Sequence, residues 1–283
     1  MAPFSSSMEN IYLLIVIGFV IGTLGTLIGA GGGFILVPIL IIMRPDFTPE
    51  TITAISMVVV ACNAISGSIA YMRSKRVDYK AGVIFAICTI PGSILGVLTT
   101  EVIPRDIFDI VFGIIMLALA IFLFFHGGEK EPVKKSVSGQ KGWIQQHLTD
   151  KWGEHYDYAY NFRYGMLLSV FVGYFSPLLG IGGGIIHVPA MSEWLLFPVH
   201  IATATSHFIL AIMSVVSVIV HYFQGNYNDP LVLKMVIGIV IGVIPGAQLG
   251  AFLSRKINGK YIIKALAVSI GIVGIKILIT RFS

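Results

Sequence analysis

Charged side chains are scarce in this chain: Asp, Glu, Lys and Arg make up 12% of its 283 residues, against 56% hydrophobic. A soluble domain needs more charge than that, so the composition points to an integral membrane protein, with apolar runs near the roughly 20 residues that a spanning helix requires. Cysteine is nearly absent as well. Cys62 and Cys88 both fall inside apolar runs, where a free thiol behaves as a small hydrophobe, so neither a disulfide framework nor a cysteine metal cluster is expected. Glu193 is the sole acid well inside an apolar run, which leaves nothing from which to build the acidic ring of a cation channel. The chain has no His-Glu-x-x-His, no nucleophile elbow and no Lys in a glycine-rich phosphate loop. Catalysis and ATP-driven transport therefore have no support, and no cofactor or metal is expected. No basic residue stands in Met1 to Asn10, so a cleaved signal peptide is not expected. The net charge of +5 is spread over loops and reads as loop bias rather than as nucleic-acid binding.

Glycine, by contrast, is abundant and patterned. Residues 29–38 (GAGGGFILVP) and 180–189 (GIGGGIIHVP) share every glycine, the isoleucine at 35 and 186, and the closing Val-Pro. Each copy lies inside an apolar run. Three consecutive glycines weaken a helix by roughly 1 kcal/mol apiece relative to Ala, so each run should interrupt one. Non-helical backbone at membrane depth is tolerated only where it is buried in protein or lines a polar cavity. The residues after each run restart a helix whose free N–H groups and positive dipole end point back at the glycines, an arrangement suited to anions. Isolated glycines such as Gly18, Gly113 and Gly271 read instead as packing positions.

Ten helical segments are expected, near 10–29, 33–43, 51–72, 80–100, 105–125, 162–180, 184–197, 199–223, 230–252 and 258–281. The fold class is therefore all-α and polytopic, with a first transmembrane repeat over 1–126, a cytoplasmic linker over 127–161, and a second, inverted repeat over 162–283. In the linker, Trp143, Ile144, Leu148 and Trp152 recur at helical spacing, so an interfacial helix is expected there. The halves match again at residues 53–56 (TAIS) and 203–206 (TATS), and at 91–96 (PGSILG) and 245–250 (PGAQLG). Three motifs in one order at nearly constant offset indicate a duplication. Placing the basic loops 73–80, 130–163 and 255–260 in the cytoplasm requires an odd number of crossings per half. Five satisfies this, sets the termini outside and gives the halves opposite orientation. A competing reading makes each glycine hairpin re-entrant, which is expected to change the parity; whether the hairpins span stays open.

In an inverted-repeat carrier the substrate site lies where broken helices of the two halves meet. Here that selects Gly31, Gly32, Gly33, Gly182, Gly183 and Gly184. Polar side chains inside apolar runs are costly and tend to face the interior or a water-filled path. His187 and His207 adjoin repeat motifs and are candidates both to hold an oxyanion and to carry a coupling proton. Asn63 and Gln248 are uncharged donors suited to sulfonate oxygens. Ser56 and Ser206 occupy matching repeat positions, while Ser93 and Ser176 are weaker candidates, since membrane serines often bond only to a preceding carbonyl. His200 and His221 are expected at the interface.

The duplicated Gly-x-Gly-Gly-Gly-x-x-x-Val-Pro runs, the Thr-Ala-x-Ser segments and the Pro-Gly-x-x-Leu-Gly runs together resemble the TauE/SafE family of sulfite and organosulfonate exporters. The resemblance covers nearly all of both halves and omits 126–161. It implies a multi-pass plasma-membrane carrier of small sulfur-containing anions such as sulfite or sulfoacetate, exporting by alternating access with a coupling proton as an option. The partners are a small anionic substrate and the lipid bilayer, with no nucleic acid and homo-oligomerisation left open. Leu36 stands where the second half has His187, so any site is asymmetric. A carrier or channel for another small ion, and a structural membrane subunit, remain as alternatives.

Overall fold

The computed structural model describes residues 10–126, 142–254, 256–257 and 259–282. Residues 127–141 of the expected linker, the first nine residues, Arg255 and Asn258 lie outside the described residues. Ten helices are described: α1 (Ile11–Ile28), α2 (Gly33–Met43), α3 (Pro49–Arg73), α4 (Tyr79–Thr100), α5 (Arg105–His126), α6 (Phe162–Leu179), α7 (Gly184–Glu193), α8 (Val199–Phe223), α9 (Pro230–Ser254) and α10 (Gly259–Phe282). Two strands, β1 (Trp143–Thr149) and β2 (His155–Asn161), stand between α5 and α6. The ends follow local chemistry: Asn10, Thr48, Asp78 and Asn161 cap α1, α3, α4 and α6 through their side-chain oxygens, and Pro49 opens α3. Among the described residues, six helices are long and apolar enough to cross a membrane: α1, α3, α4, α6, α8 and α9.

The expected interfacial helix is not there. Residues 143–161 form an antiparallel hairpin in which Trp143 pairs with Asn161 and Thr149 with His155. Tyr156, Tyr158 and Tyr160 alternate along β2 with a period of two, and Gly153 takes a positive φ in the turn. This pattern outweighs the helical spacing of Trp143, Ile144, Leu148 and Trp152.

Glycines set the main contacts between halves. Gly18 and Gly22 of α1 lie against Ile239 and Val243 of α9, and Gly242, Gly246 and Gly250 of α9 lie against Ile15, Phe19 and Thr23 of α1. These helices are thus parallel and nearly in backbone contact. The same relation joins α4 to α6, with Gly92 and Gly96 against Tyr174. The two Pro-Gly-x-x-Leu-Gly runs are therefore the surfaces by which each half grips the other. Exchanging the halves maps α1 against α9 onto α6 against α4, and maps α3 against α8 onto itself.

One end of the bundle gathers the α3–α4 loop, the hairpin and the end of α9: Ala70, Arg73, Ser74, Trp152, Gln248 and Phe252 line a shared cavity of about 200 Å³ there. At the other end, the α2–α3 and α8–α9 loops line a polar cavity of about 370 Å³. Because α1 runs parallel to α9, it starts at this second end. Arg105 of α5 binds the Ile41 and Phe47 carbonyls, which holds the end of α2 at the same place. At 1.5 Å per residue, α2 and α7 rise only about 16 and 15 Å, half of a hydrocarbon core about 30 Å thick. The pair α1–α2 is thus a hairpin that turns inside the bundle and returns to the end it came from. By the same reasoning α6–α7 enters from the hairpin end and returns there, where Trp194 packs on Phe122 of α5. A pair that enters and returns adds two crossings or none, so re-entrance leaves the parity unchanged. The expectation that it would change the parity is corrected on that count.

Candidate functional site

Each break is a glycine turn between two helices. Gly29 closes α1 with φ 81°, and Gly31 and Gly32 follow at 78° and 84°, a region where an L side chain is strained. Gly180 closes α6 at 66° and Gly182 follows at 71°, but Gly183 has an ordinary φ of −49°, so the second turn uses one left-handed residue fewer. Among the described residues, the N–H groups of Gly32, Gly33 and Phe34, and of Gly182, Gly183 and Gly184, donate to no backbone carbonyl. These are the orphan donors of a helix N-terminus. Pro38 and Pro189 lack an N–H, so the carbonyl four residues before each is also released close to its turn.

The two turns press against one another. A methyl on Gly33 would overlap the Gly180 carbonyl oxygen, and one on Gly184 would overlap the Gly29 carbonyl oxygen. The same two carbonyls accept from the serines of the repeat: Ser56 Oγ donates to Gly180 O at 2.5 Å and Ser206 Oγ to Gly29 O at 3.5 Å. Thr53 packs on Gly180 and Thr203 on Gly29. Each Thr-Ala-x-Ser segment therefore holds the break of the opposite half, which explains the motif as a cross-half clamp.

Beside the first break lies a buried polar cluster of Thr26, Asn63, His207 and Tyr71, none more than 1% exposed. Thr26 Oγ1 donates to Asn63 Oδ1 at 2.5 Å, a length that suits O–H···O and is too short for N–H···O, which orients the amide. Thr26 has spent its proton there, so its 3.2 Å contact with His207 Nε2 requires Nε2 to be the donor. His207 Nδ1 is buried with no hydrogen-bond partner. Tyr71 OH donates to the Thr26 carbonyl at 2.7 Å, and its ring meets the His207 imidazole edge-on. Asn63 Nδ2 is left buried with no partner. It shares a neighbour with the Gly32 nitrogen: a methyl on Gly25 would sit 2.5 Å from Gly32 N and 2.6 Å from Asn63 Nδ2. Two unspent donors thus converge over Gly25.

The remaining candidates are dispersed. His187 is buried one turn into α7, with Nε2 3.3 Å from Ser169 Oγ, away from the Asn63 cluster. Gln248 is exposed near the hairpin end and donates to the Ser66 carbonyl and hydroxyl at 2.7 and 2.9 Å, pinning α9 to α3 rather than reaching the breaks. Ser93 bonds back to the Ile90 carbonyl, whereas Ser176 Oγ is buried beside Gly183 with no partner. His221, expected at the interface, is fully buried and takes a hydrogen bond from Asn226 on Nδ1. The six glycines of the two triplets are all buried, and the cavities at the two ends and along α2 are lined by other residues. The breaks are buried within the bundle.

Sequence reasoning missed Thr26, Gly25 and Tyr71. Thr26 and Gly25 sit three and four residues before Gly29, where the last turn of α1 must face the break, and that spacing was the available signal. It also missed the docking of the hairpin. Arg76 and Asp150 form an ion pair with both side chains nearly inaccessible, at 2.8 Å, and the Arg76 guanidinium lies 5.0 Å over the Trp152 ring. Burial pushes the Asp150 carboxyl up, but Arg76 and the N–H groups of Trp152 and Glu154 outweigh it and hold the group below its ordinary value. Tyr158 OH donates to Asp78, which also caps α4, and the Asp78 N–H donates to Thr205 Oγ1 next to Ser206. Tyr158 and Tyr160 pack on Phe197 of the α7–α8 connection. A short polar path thus joins the hairpin to the clamp at Gly29.

Comparison with known proteins places this geometry in context. The family model described as sulfite exporter TauE/SafE matches residues 14–277. The probable membrane transporter protein YunE of Bacillus subtilis is 33% identical over 272 residues, covering 94% of this chain and 96% of that protein. A probable membrane transporter protein of Methanocaldococcus jannaschii is 28% identical over 283 residues, covering 94% of this chain and 95% of its own length. No solved structure matches.

Proposed function

Since the chain belongs to the TauE/SafE sulfite exporter family and is a multi-pass membrane transporter rather than an enzyme, we propose that it is a secondary carrier of small sulfur-containing oxyanions. It works by alternating access at the meeting point of the two glycine breaks. The observation that carries this reading is the unpartnered Asn63 Nδ2 beside the free Gly32 N–H at the start of α2. A buried donor with no acceptor is costly, so a site that keeps one has a use for it. A helix N-terminus offers an anion up to about 2 kcal/mol in a partly buried setting, enough to favour occupancy while permitting release.

Two halves of opposite orientation are supported by the hairpins α1–α2 and α6–α7 entering from different ends and touching at their tips. Rocking one half against the other would slide Gly33 off the Gly180 carbonyl and Gly184 off the Gly29 carbonyl, opening the Asn63 pocket to one side at a time. The loop 73–80, the end of α9 and the hairpin share one end, which the positive-inside rule places in the cytoplasm of a plasma (inner) membrane carrier. His207 is the candidate proton carrier; His187, in the same half, is a second. Export is the direction the family description favours. Counterflow in proteoliposomes with sulfite, methanesulfonate, sulfate and acetate tests the reading: exchange of sulfite or the sulfonate supports it, and exchange of none of the four overturns it.

A further inference from the structure

We propose that the two breaks are functionally unequal: the first carries a single oxyanion subsite for which Gly25 makes room, and the second is a dry bearing surface closed by Ser176 and Met213. This rests on the transport reading above and fixes where, and how many, anions are held.

In the register that aligns Gly29 with Gly180, Gly25 corresponds to Ser176; in the register that aligns Ser56 with Ser206, Asn63 corresponds to Met213. Both changes act on the same spot. At the first break the absence of a side chain on residue 25 lets the Gly32 nitrogen and Asn63 Nδ2 approach a common point, and Asn63 is held in that pose by Thr26. At the second, a methyl on Gly183, the counterpart of Gly32, would meet Val172 Cγ1 at 2.7 Å, Met213 Cε at 3.4 Å and Ser176 Cβ at 3.4 Å. A methyl on Gly32 would meet Ile21 Cγ2 at 2.5 Å and Asn63 Nδ2 at 3.4 Å, so the aliphatic neighbour is common to both breaks, and the difference is Met213 and Ser176 where the first break has the Asn63 amide and Gly25. The second break has its own free backbone N–H groups and an unpartnered Ser176 hydroxyl, but no side-chain amide beside them: Met213 stands in the place of Asn63. His207, joined to Thr26, also belongs to the first break, and its repeat counterpart is Met57. The ligand class that fits is a small oxyanion whose oxygens accept from two or three convergent N–H groups.

Equilibrium dialysis of the full-length chain in lipid nanodiscs, with radiolabelled sulfite and separately with methanesulfonate, tests this. One anion bound per chain is expected. Asn63→Asp, which turns the donor into a negatively charged acceptor, should weaken binding by roughly ten- to a hundredfold, and Gly25→Ala should do the same by filling the pocket. Met213→Leu and Ser176→Ala should stay within about twofold of the parent, as removal of contacts that touch no ligand predicts. Two anions per chain, or Met213→Leu or Ser176→Ala costing as much as Asn63→Asp, would overturn the inequality while leaving the transport reading standing. Binding of neither anion by the parent chain would overturn both. Should Asn63→Asp and Gly25→Ala fail to fold, the stoichiometry of the parent and the two second-break variants still decide.

Discussion

Replacing Asp150 by Asn isolates the contact that holds the hairpin onto the membrane helices. Asp150 accepts from Arg76 at 3.1 and 2.8 Å through one oxygen, and from the N–H groups of Trp152 and Glu154 through the other. Asparagine keeps one acceptor oxygen and the size but loses the charge, so Arg76, itself only 4% exposed, is left buried against a neutral partner. Breaking one side of a buried pair costs about 3–5 kcal/mol. The lower end applies here, because Glu154 Oε2 lies 3.7 Å from Arg76 and takes over part of the neutralisation. A loss of about 3 kcal/mol in docking corresponds to a little over a hundredfold faster hydrogen exchange wherever local undocking governs it. Exchange over residues 142–161 should therefore accelerate by that factor, while α1 and α9 keep their protection. Combining the change with Arg76→Met should restore part of the loss, since the orphaned charge is then gone. Unchanged exchange in Asp150→Asn, or strict additivity of the two substitutions, would refute the view that this pair docks the hairpin.

Other outcomes follow from the same geometry. The Asp150 carboxyl is held below its ordinary value of 3.8, so it contributes docking stability that is complete above that value and is lost as pH falls through the lower, folded-state value; Trp152 fluorescence should report an acid transition below pH 4 that Asp150→Asn abolishes. Gly33→Ala and Gly184→Ala each force a methyl onto a carbonyl of the opposite break, and overpacking of this kind should cost about 1–3 kcal/mol and arrest flux. Gly271→Ala, whose methyl would meet only the Ala120 side chain at 3.3 Å, should cost less in the same melting assay. Tyr158→Phe leaves Asp78 without one donor and should lower stability by about 1.5–3 kcal/mol, read by thermal unfolding. If His207 and His187 carry the coupling proton, flux in the double Gln variant should lose its pH dependence, and a preserved profile would rule that role out.

The helices were legible because glycine, proline and apolar run length act locally: α2 was expected at 33–43 and α8 at 199–223, and both stand there. The membrane class followed from scarcity of charge. What the three repeat motifs do was not legible, because each works on the other half: Ser56 on Gly180, Ser206 on Gly29, Gly246 on Phe19. Of the candidate residues, Asn63, His207, Ser56 and Ser206 gather at the breaks with the glycines, while Gln248 turned outward to bind Ser66 and His187 paired with Ser169. A polar residue in an apolar run announces that it has a partner without saying which one. The hairpin was misread because four apolar residues happened to fall at helical spacing, although Tyr156, Tyr158 and Tyr160 on the following strand already alternated at period two.

The central claim is that the paired helix breaks are both the seal and the binding place, and an experimental structure of the full chain in a lipid nanodisc with sulfite tests it most directly. The account predicts an anion within hydrogen-bonding distance of Asn63 Nδ2 and the Gly32 N–H, with Gly33 and Gly184 drawn away from the Gly180 and Gly29 carbonyls on the open side. Sulfite seated elsewhere, with both glycine contacts intact in every conformation that flux requires, would contradict it.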